Sequence, residues 1–210
     1  MIMTWSIGEI GALATKAARG SGLDWGLAEE AGYAVKWLQR RQLPGVMALC
    51  RYLSWRHHGN LTSWPYETGA HGHYCPITIG AAYGDGAFGD EVQFSRIKTP
   101  LLLIPFVAIR ITKKPLEINI GSSRFYLAKD QIGYTNNDTA ILGDSAPCQI
   151  SIASNSLPNI TVTIVSNLQR VPATATACIS VLESFAKNTY APATEESRLA
   201  GAGAGLNDND

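Results

Sequence analysis

The side chains best suited to chemistry lie in the short segment His71-Gly72-His73-Tyr74-Cys75, with His57 and His58 upstream. In an extended chain alternate residues project to one side, so His71, His73 and Cys75 are expected to share a face. Two imidazoles and a thiolate suit zinc, with Asp85, Asp90, His57 or water as the fourth ligand. A water in that position would be activated for hydrolysis. Without metal, the same segment offers Cys75 as a nucleophile and a histidine as its base. No second H-x-x-x-H or C-x-x-C element accompanies it. A structural role, with the histidines packed and hydrogen-bonded in an ordered loop, therefore stands beside both chemical ones.

Two further segments can bind anions. In Arg19-Gly-Ser-Gly-Leu-Asp-Trp-Gly26, glycines flank a turn and Asp24 precedes a helix start. Arg19 can grip a carboxylate bidentately, with Glu29 or Glu30 as a base. The same residues also make a plain turn, with Asp24 as a cap and acids in the first helical turn. Trp25 and Trp37 are expected in the core or at an interface rather than as stacking platforms. Near the C-terminus, Ser197 and Arg198 precede the run Gly201-Ala-Gly203-Ala-Gly205. Glycine amides can approach an anionic ligand closely, and such a segment can act as a binding lid or remain a solvated tail. The expected substrate contacts are thus Arg19, Arg198, Ser197 and Gly203. The glycine run is no dinucleotide fingerprint, because Leu206 stands where another glycine is needed and no strand-to-helix context follows. No Walker motif is present, so no nucleotide cofactor is expected, and Gly-x-Ser-x-Gly is absent, so Ser-His-Asp catalysis has no support beyond residue counts.

These residues need a scaffold, and composition limits its kind. The chain has 210 residues, 46% hydrophobic and 16% charged, with 17 basic residues against 17 acidic. That length buries roughly 70% of the unfolded surface without staples. Balanced charge leaves no basic excess for nucleic-acid phosphates. The longest apolar run, Leu101 to Ile109, contains Pro105 and falls short of a membrane span of about 20 residues. The N-terminus shows no basic stretch followed by an apolar one, which predicts a cytoplasmic protein. Cys50, Cys75, Cys148 and Cys178 are accordingly expected as free thiols.

Periodicity divides the chain into a helical unit (1–58), a Gly/His-rich loop (59–91), a β-rich unit with a terminal helix (92–188) and a polar Gly-rich tail (189–210), expected as one integrated domain. Ser6 and Glu9 form a capping box, after which Ile10, Leu13, Ala14 and Ala17 recur at helical spacing. A second helix follows Asp24, and a third begins at Pro44 and ends near Gly59. Strands are expected at 92–98, 101–112, 116–120, 124–128, 139–142, 148–153 and 160–166. Leu116, Ile118 and Ile120 alternate with polar residues there, as do Ile160, Val162 and Ile164. Short connections favour antiparallel pairing. A helix at 174–187 follows. The fold class is therefore α+β: an N-terminal three-helix unit packed on a mainly antiparallel sheet, with one late helix and the 57–90 loop at their junction.

Three stretches carry a family resemblance: EIGALATKAARGSGLDWGLAEEAGYAVKWL (9–38), HYCPITIGAAYGD (73–85) and TYAPATEESRLAGAGAGLNDND (189–210). They resemble the bacterial domain of unknown function numbered 3726. The resemblance implies a cytoplasmic bacterial protein and brings no reaction with it. The residues themselves suggest an enzyme or enzyme subunit performing hydrolytic or lyase-type chemistry on a small anionic metabolite, with His71, His73, Cys75 and Glu29 as catalytic candidates. The rival is a non-catalytic assembly subunit, forming a homo-oligomer or docking a partner through its helical face. No role with nucleic acid or membrane is expected, and zinc at His71, His73 and Cys75 is the one cofactor suggested.

Overall fold

The computed structural model describes residues 5–58, 73–111, 114–129, 131–135, 143–153, 161–164 and 175–190. Helix α1 spans Ile7–Gly20, α2 Trp25–Arg40 and α3 Gly45–His58. The capping box forms: Glu9 N–H donates to Ser6 Oγ at 3.1 Å and Ser6 N–H to Glu9 Oε2 at 2.8 Å. Asp24 occupies the N-cap of α2, although its side chain makes no capping bond. Trp25 beside it is 59% exposed, so of the two places expected for it, core or interface, it does not occupy the core. Between α2 and α3 the buried Gln39 accepts from Gly45 N–H through Oε1 at 2.9 Å, satisfying a backbone donor in the turn.

α1 and α2 cross closely because their shared face is built from small residues, Gly11, Ala14 and Ala18 against Ala28, Ala31 and Gly32. A Cβ on Gly11 would strike the Lys36 stem, and one on Gly32 would strike Thr15. The loop expected at 59–91 contains a helix, α4, at Pro76–Gly84. Its glycines concealed it: Gly80 is required where α4 meets the Phe106 ring.

Strand β1 is Val92–Lys98, followed by β2 Leu116–Ile120, β3 Ser123–Ala128, β4 Gln131–Tyr134, β5 Ser145–Ile152 and β6 Thr161–Ile164. They form one antiparallel sheet in the order β1-β5-β2-β3-β4-β6. In β2, Leu116, Ile118 and Ile120 are buried and their neighbours half-buried, as the alternation predicts. The late helix, α6, is Thr176–Ala186. The fold class is α+β, as expected. The strand expected at 139–142 lies outside the described residues.

One expected strand is helical. Pro100–Leu103 is a 3-10 turn and Ile104–Ile109 is helix α5. An unbroken apolar run fits a buried helix as well as a buried strand. Two local features decide it. Thr99 adopts φ 45°, which turns the chain out of β1. Pro105 sits in the first turn of α5, where its missing N–H removes no bond, whereas within a ladder it would. The segment packs against α2, α3 and α4 on one side and β2 and β5 on the other, so Leu101 through Val107 are all buried. β4 was hidden for a different reason: Gly133, which reads as punctuation, pairs with Tyr126 and Val162 inside the ladder. No described helix is long and apolar enough to cross a membrane.

α6 lies against the end of α1, where a Cβ on Gly20 would strike the Phe185 carbonyl. Asn188 Nδ2 also donates to Gly20 O at 3.1 Å. Gly20→Ala should therefore destabilise the protein by about 1–3 kcal/mol despite alanine's better helix propensity. Gly26→Ala, in exposed open space on α2, should instead stabilise by about 0.5–1 kcal/mol. Urea unfolding of the two variants checks the contrast.

Candidate active site around Cys75

Residues 73–75 lie between α3 and the edge strand β1. Tyr74 forms a single parallel bridge with Ile97: its N–H donates to Arg96 O at 2.9 Å, and Lys98 N–H donates to Tyr74 O at 3.1 Å. The bridge sits where the β1–β5 register shifts between Phe94 and Ile97. The extended backbone sends alternate side chains to opposite sides. Tyr74 stacks edge-on against Phe94, with centroids 6.0 Å apart. His73 and Cys75 turn the other way, onto α3. His73 packs edge-on against Trp55 at 5.5 Å, and Cys75 Sγ lies 2.7 Å from Tyr52 Oη. The shared face expected of the segment is thus present for His73 and Cys75, while His71 lies outside the described residues.

Cys75 is the N-cap of α4, and its sulfur accepts the Thr78 N–H at 3.4 Å. Pro76 fits the first helical position, where no N–H is needed. The sulfur thus lies at the positive end of the α4 dipole, beside a backbone amide donor. Tyr52 is buried completely. Burial raises its phenol well above the ordinary value, and Cys75 adds to the rise while Arg56 opposes it. The phenol therefore remains a neutral donor at physiological pH. Arg56, one turn along α3, faces the same phenol and opposes that rise. In the 2.7 Å contact between the phenol and the Cys75 sulfur either group can donate.

Two cations flank this group. Arg56 also reaches Gly22 O at 3.4 Å, which ties the glycine turn of the 19–26 segment to the cysteine. Lys98, at the end of β1, is buried; its Nζ lies 4.9 Å from the Trp55 ring centroid and 3.5 Å from Asp144 Oδ2. Sequence reasoning missed Tyr52, Arg56 and Lys98. The first two recur at helical spacing on α3 with Trp55, which reads as an amphipathic face, and nothing local marks Lys98 as buried.

The remaining candidates lie elsewhere. Arg19 Nη1 donates to Leu23 O at 3.0 Å and closes its own turn. Glu29 is exposed at the start of α2. Its neighbour Glu30 faces Asp85, the C-cap of α4. That end is about 15 Å from Cys75 by the rise of the helix. Glu29 is thus not brought to the cysteine. Asp85 and Asp90 share the far end, where Arg110 Nη2 holds Asp90 Oδ1 at 2.7 Å, so the expected fourth zinc ligand does not come from them. His57 packs on Phe185 of α6 at 5.6 Å rather than on the 73–75 segment. Among the described residues no three His, Cys, Asp or Glu side chains converge on a point where a metal would sit. Ser197, Arg198 and Gly203 lie outside the described residues. A cavity of about 540 Å³ between α1 and α6, lined by Trp5, Lys16 and Tyr190, contains none of the expected site residues. The electrostatic arrangement at Cys75, rather than cavity size, marks the site.

Residues 5–70 match a family model described as Protein of unknown function (DUF3726). The resemblance seen in the sequence is therefore borne out over the helical unit, including Tyr52, Trp55 and Arg56. The match ends before His73 and Cys75. No curated protein and no solved structure matches the chain.

Two measurements follow from this geometry. Cys75→Ala removes the sulfur that partners the buried phenol, and should cost about 1–3 kcal/mol of stability. Added to Tyr52→Phe it should cost clearly less, since no phenol is then left unsatisfied; a double-mutant cycle by urea unfolding reads the coupling. At the other end of α4, burial raises the Glu30 carboxyl above its ordinary value of 4.5, with Asp85 and Glu29 contributing. The folded state thus prefers the protonated acid, and ionisation costs stability as pH rises above that value. Glu30→Gln should raise the melting temperature modestly at pH 7 and leave it unchanged near pH 4, as thermal scans at both pH values will report.

Proposed function

We propose that the protein is a cysteine-dependent enzyme, with Cys75 as the nucleophile in hydrolysis of a small anionic metabolite. The supporting observation is the 2.7 Å contact between Tyr52 Oη and Cys75 Sγ at the amino end of α4. The sulfur faces the Thr78 amide, the positive end of the helix dipole and a phenol held neutral by burial. Arg56 supplies positive charge beside that phenol, which suits a substrate carboxylate or phosphate.

In this reading the sulfur attacks an acyl carbon and forms a thioester. The leaving group departs with a proton from His73 or solvent. Water then attacks the thioester carbon, releasing the acid and returning the thiol. Tyr52 acts throughout as a hydrogen-bond donor to sulfur, easing its departure in the second step. Zinc at His71, His73 and Cys75 is a less favoured reading, because the Cys75 sulfur already takes bonds from the phenol and an amide.

Alkylation with iodoacetamide under native conditions tests the proposal. Cys75 should label first. Cys50 and Cys148 should lag far behind, since burial pushes both thiols up to about 12. Tyr52→Phe should slow Cys75 labelling about tenfold at pH 7, the effect of losing one hydrogen bond to a charged group. Labelling of Cys75 no faster than that of the urea-unfolded chain would overturn the nucleophile and leave the assembly subunit as the better reading.

A further inference from the structure

The interface between α3 and α6 contains a second sulfur arrangement, independent of Cys75. Cys50 on α3 and Cys178 on α6 are neighbours close enough to interact, and both are free thiols. The same helices meet again at His57 and Phe185, whose rings pack edge-on at 5.6 Å. Each of these residues follows its cysteine by seven positions. Seven residues are two helical turns, so the helices run parallel, and the two cysteines share one seam with the ring pair. Facing Cα atoms on helices packed about 8–10 Å apart lie about 3.5–5.5 Å from each other, which overlaps the range a disulfide spans. Cys50 belongs to the core, whereas Cys178 packs at its margin and is partly open to solvent.

We propose that Cys50 and Cys178 form a reversible disulfide that staples the late helix α6 to the helical unit under oxidising conditions. The oxidant is a peroxide. Its terminal oxygen is attacked by the Cys178 sulfur, giving a sulfenic acid and one water. The Cys50 sulfur then attacks the sulfenic sulfur. The S–S bond forms as the S–O bond breaks, and the Cys50 proton leaves with the hydroxide as a second water. Two thiols and one peroxide become one disulfide and two waters. The division of labour follows from exposure: the accessible sulfur meets the oxidant, and the buried one resolves it. Burial and the neighbouring Cys178 keep the Cys50 thiol protonated until that step.

The staple joins two elements far apart in sequence, so it constrains the unfolded chain strongly. It also fixes the helix that abuts the Gly20 end of α1. The test uses the full chain treated with excess hydrogen peroxide, then digested with trypsin without reduction. The expected product is an intramolecular link between peptide 42–51, carrying Cys50, and peptide 171–187, carrying Cys178, reversed by dithiothreitol. The melting temperature should rise by several degrees on oxidation and fall back on reduction. Cys178→Ser should lose both the link and the shift, while Cys75→Ser keeps both, which separates the staple from the nucleophile. Cys178 recovered as sulfinic acid with Cys50 unlinked would overturn the proposal. So would links only to Cys75, Cys148 or a second molecule, or two free thiols after full peroxide treatment.

Discussion

A phenol hydroxyl deep in a protein must find a partner, and this requirement at Tyr52 organises the junction between helices and sheet. Tyr52 faces inward from the middle of α3, where its ring joins the core. Its hydroxyl meets the Cys75 sulfur at 2.7 Å, with Arg56 nearby. Leaving such a group unsatisfied costs about 1–3 kcal/mol, comparable with burying a large apolar side chain. The bond therefore fixes Cys75 against α3. Once Cys75 is fixed, α4 must start there, Tyr74 must meet the edge of β1, and His73 must face Trp55.

The sheet edge shows the consequence. An edge strand presents unpaired backbone groups that other chains can use. On β1 the Arg96 carbonyl and Lys98 amide are taken by Tyr74, at the point where the pairing with β5 shifts register. The bridge covers part of the edge and brings the Lys98 side chain beneath Trp55. A buried ammonium needs compensation; Asp144 and the indole face provide it. Edge protection and the positive charge near Cys75 thus arise from one local arrangement.

Legibility followed the range of the interactions involved. The capping box at Ser6, the α1 stripe and the alternation in β2 depend on neighbours in sequence, and each was readable from it. The helix at 104–109 was not, because its uniform apolarity reflects burial on every side, a tertiary fact. α4 was missed because Gly80 and Gly84 suggest a loop, whereas Gly80 makes room for Phe106. At the site, His73 and Cys75 were chosen on residue type and do share a face. Their partners came from α3 and β1 rather than from the expected carboxylates. Glu29 and Glu30 were plausible bases in sequence, yet α2 places Glu30 by Asp85, at the wrong end of α4, and leaves Glu29 exposed.

That misplacement bears on the chemistry itself. Glu30, Asp85 and Asp90 lie at the C-terminal end of α4 and do not compete for Arg56, whereas Lys98 is held by Asp144. Cys75 consequently sits at the positive end of the α4 dipole, beside a neutral phenol, with the acids of the far end about 15 Å away. A charge that develops on sulfur, or arrives with an anionic substrate, is favoured by the same groups. In the proposed enzyme, binding and activation would therefore draw on one electrostatic source. A metal bound through the Cys75 sulfur would have to compete with the Tyr52 hydrogen bond, whereas a nucleophile uses that bond as it stands.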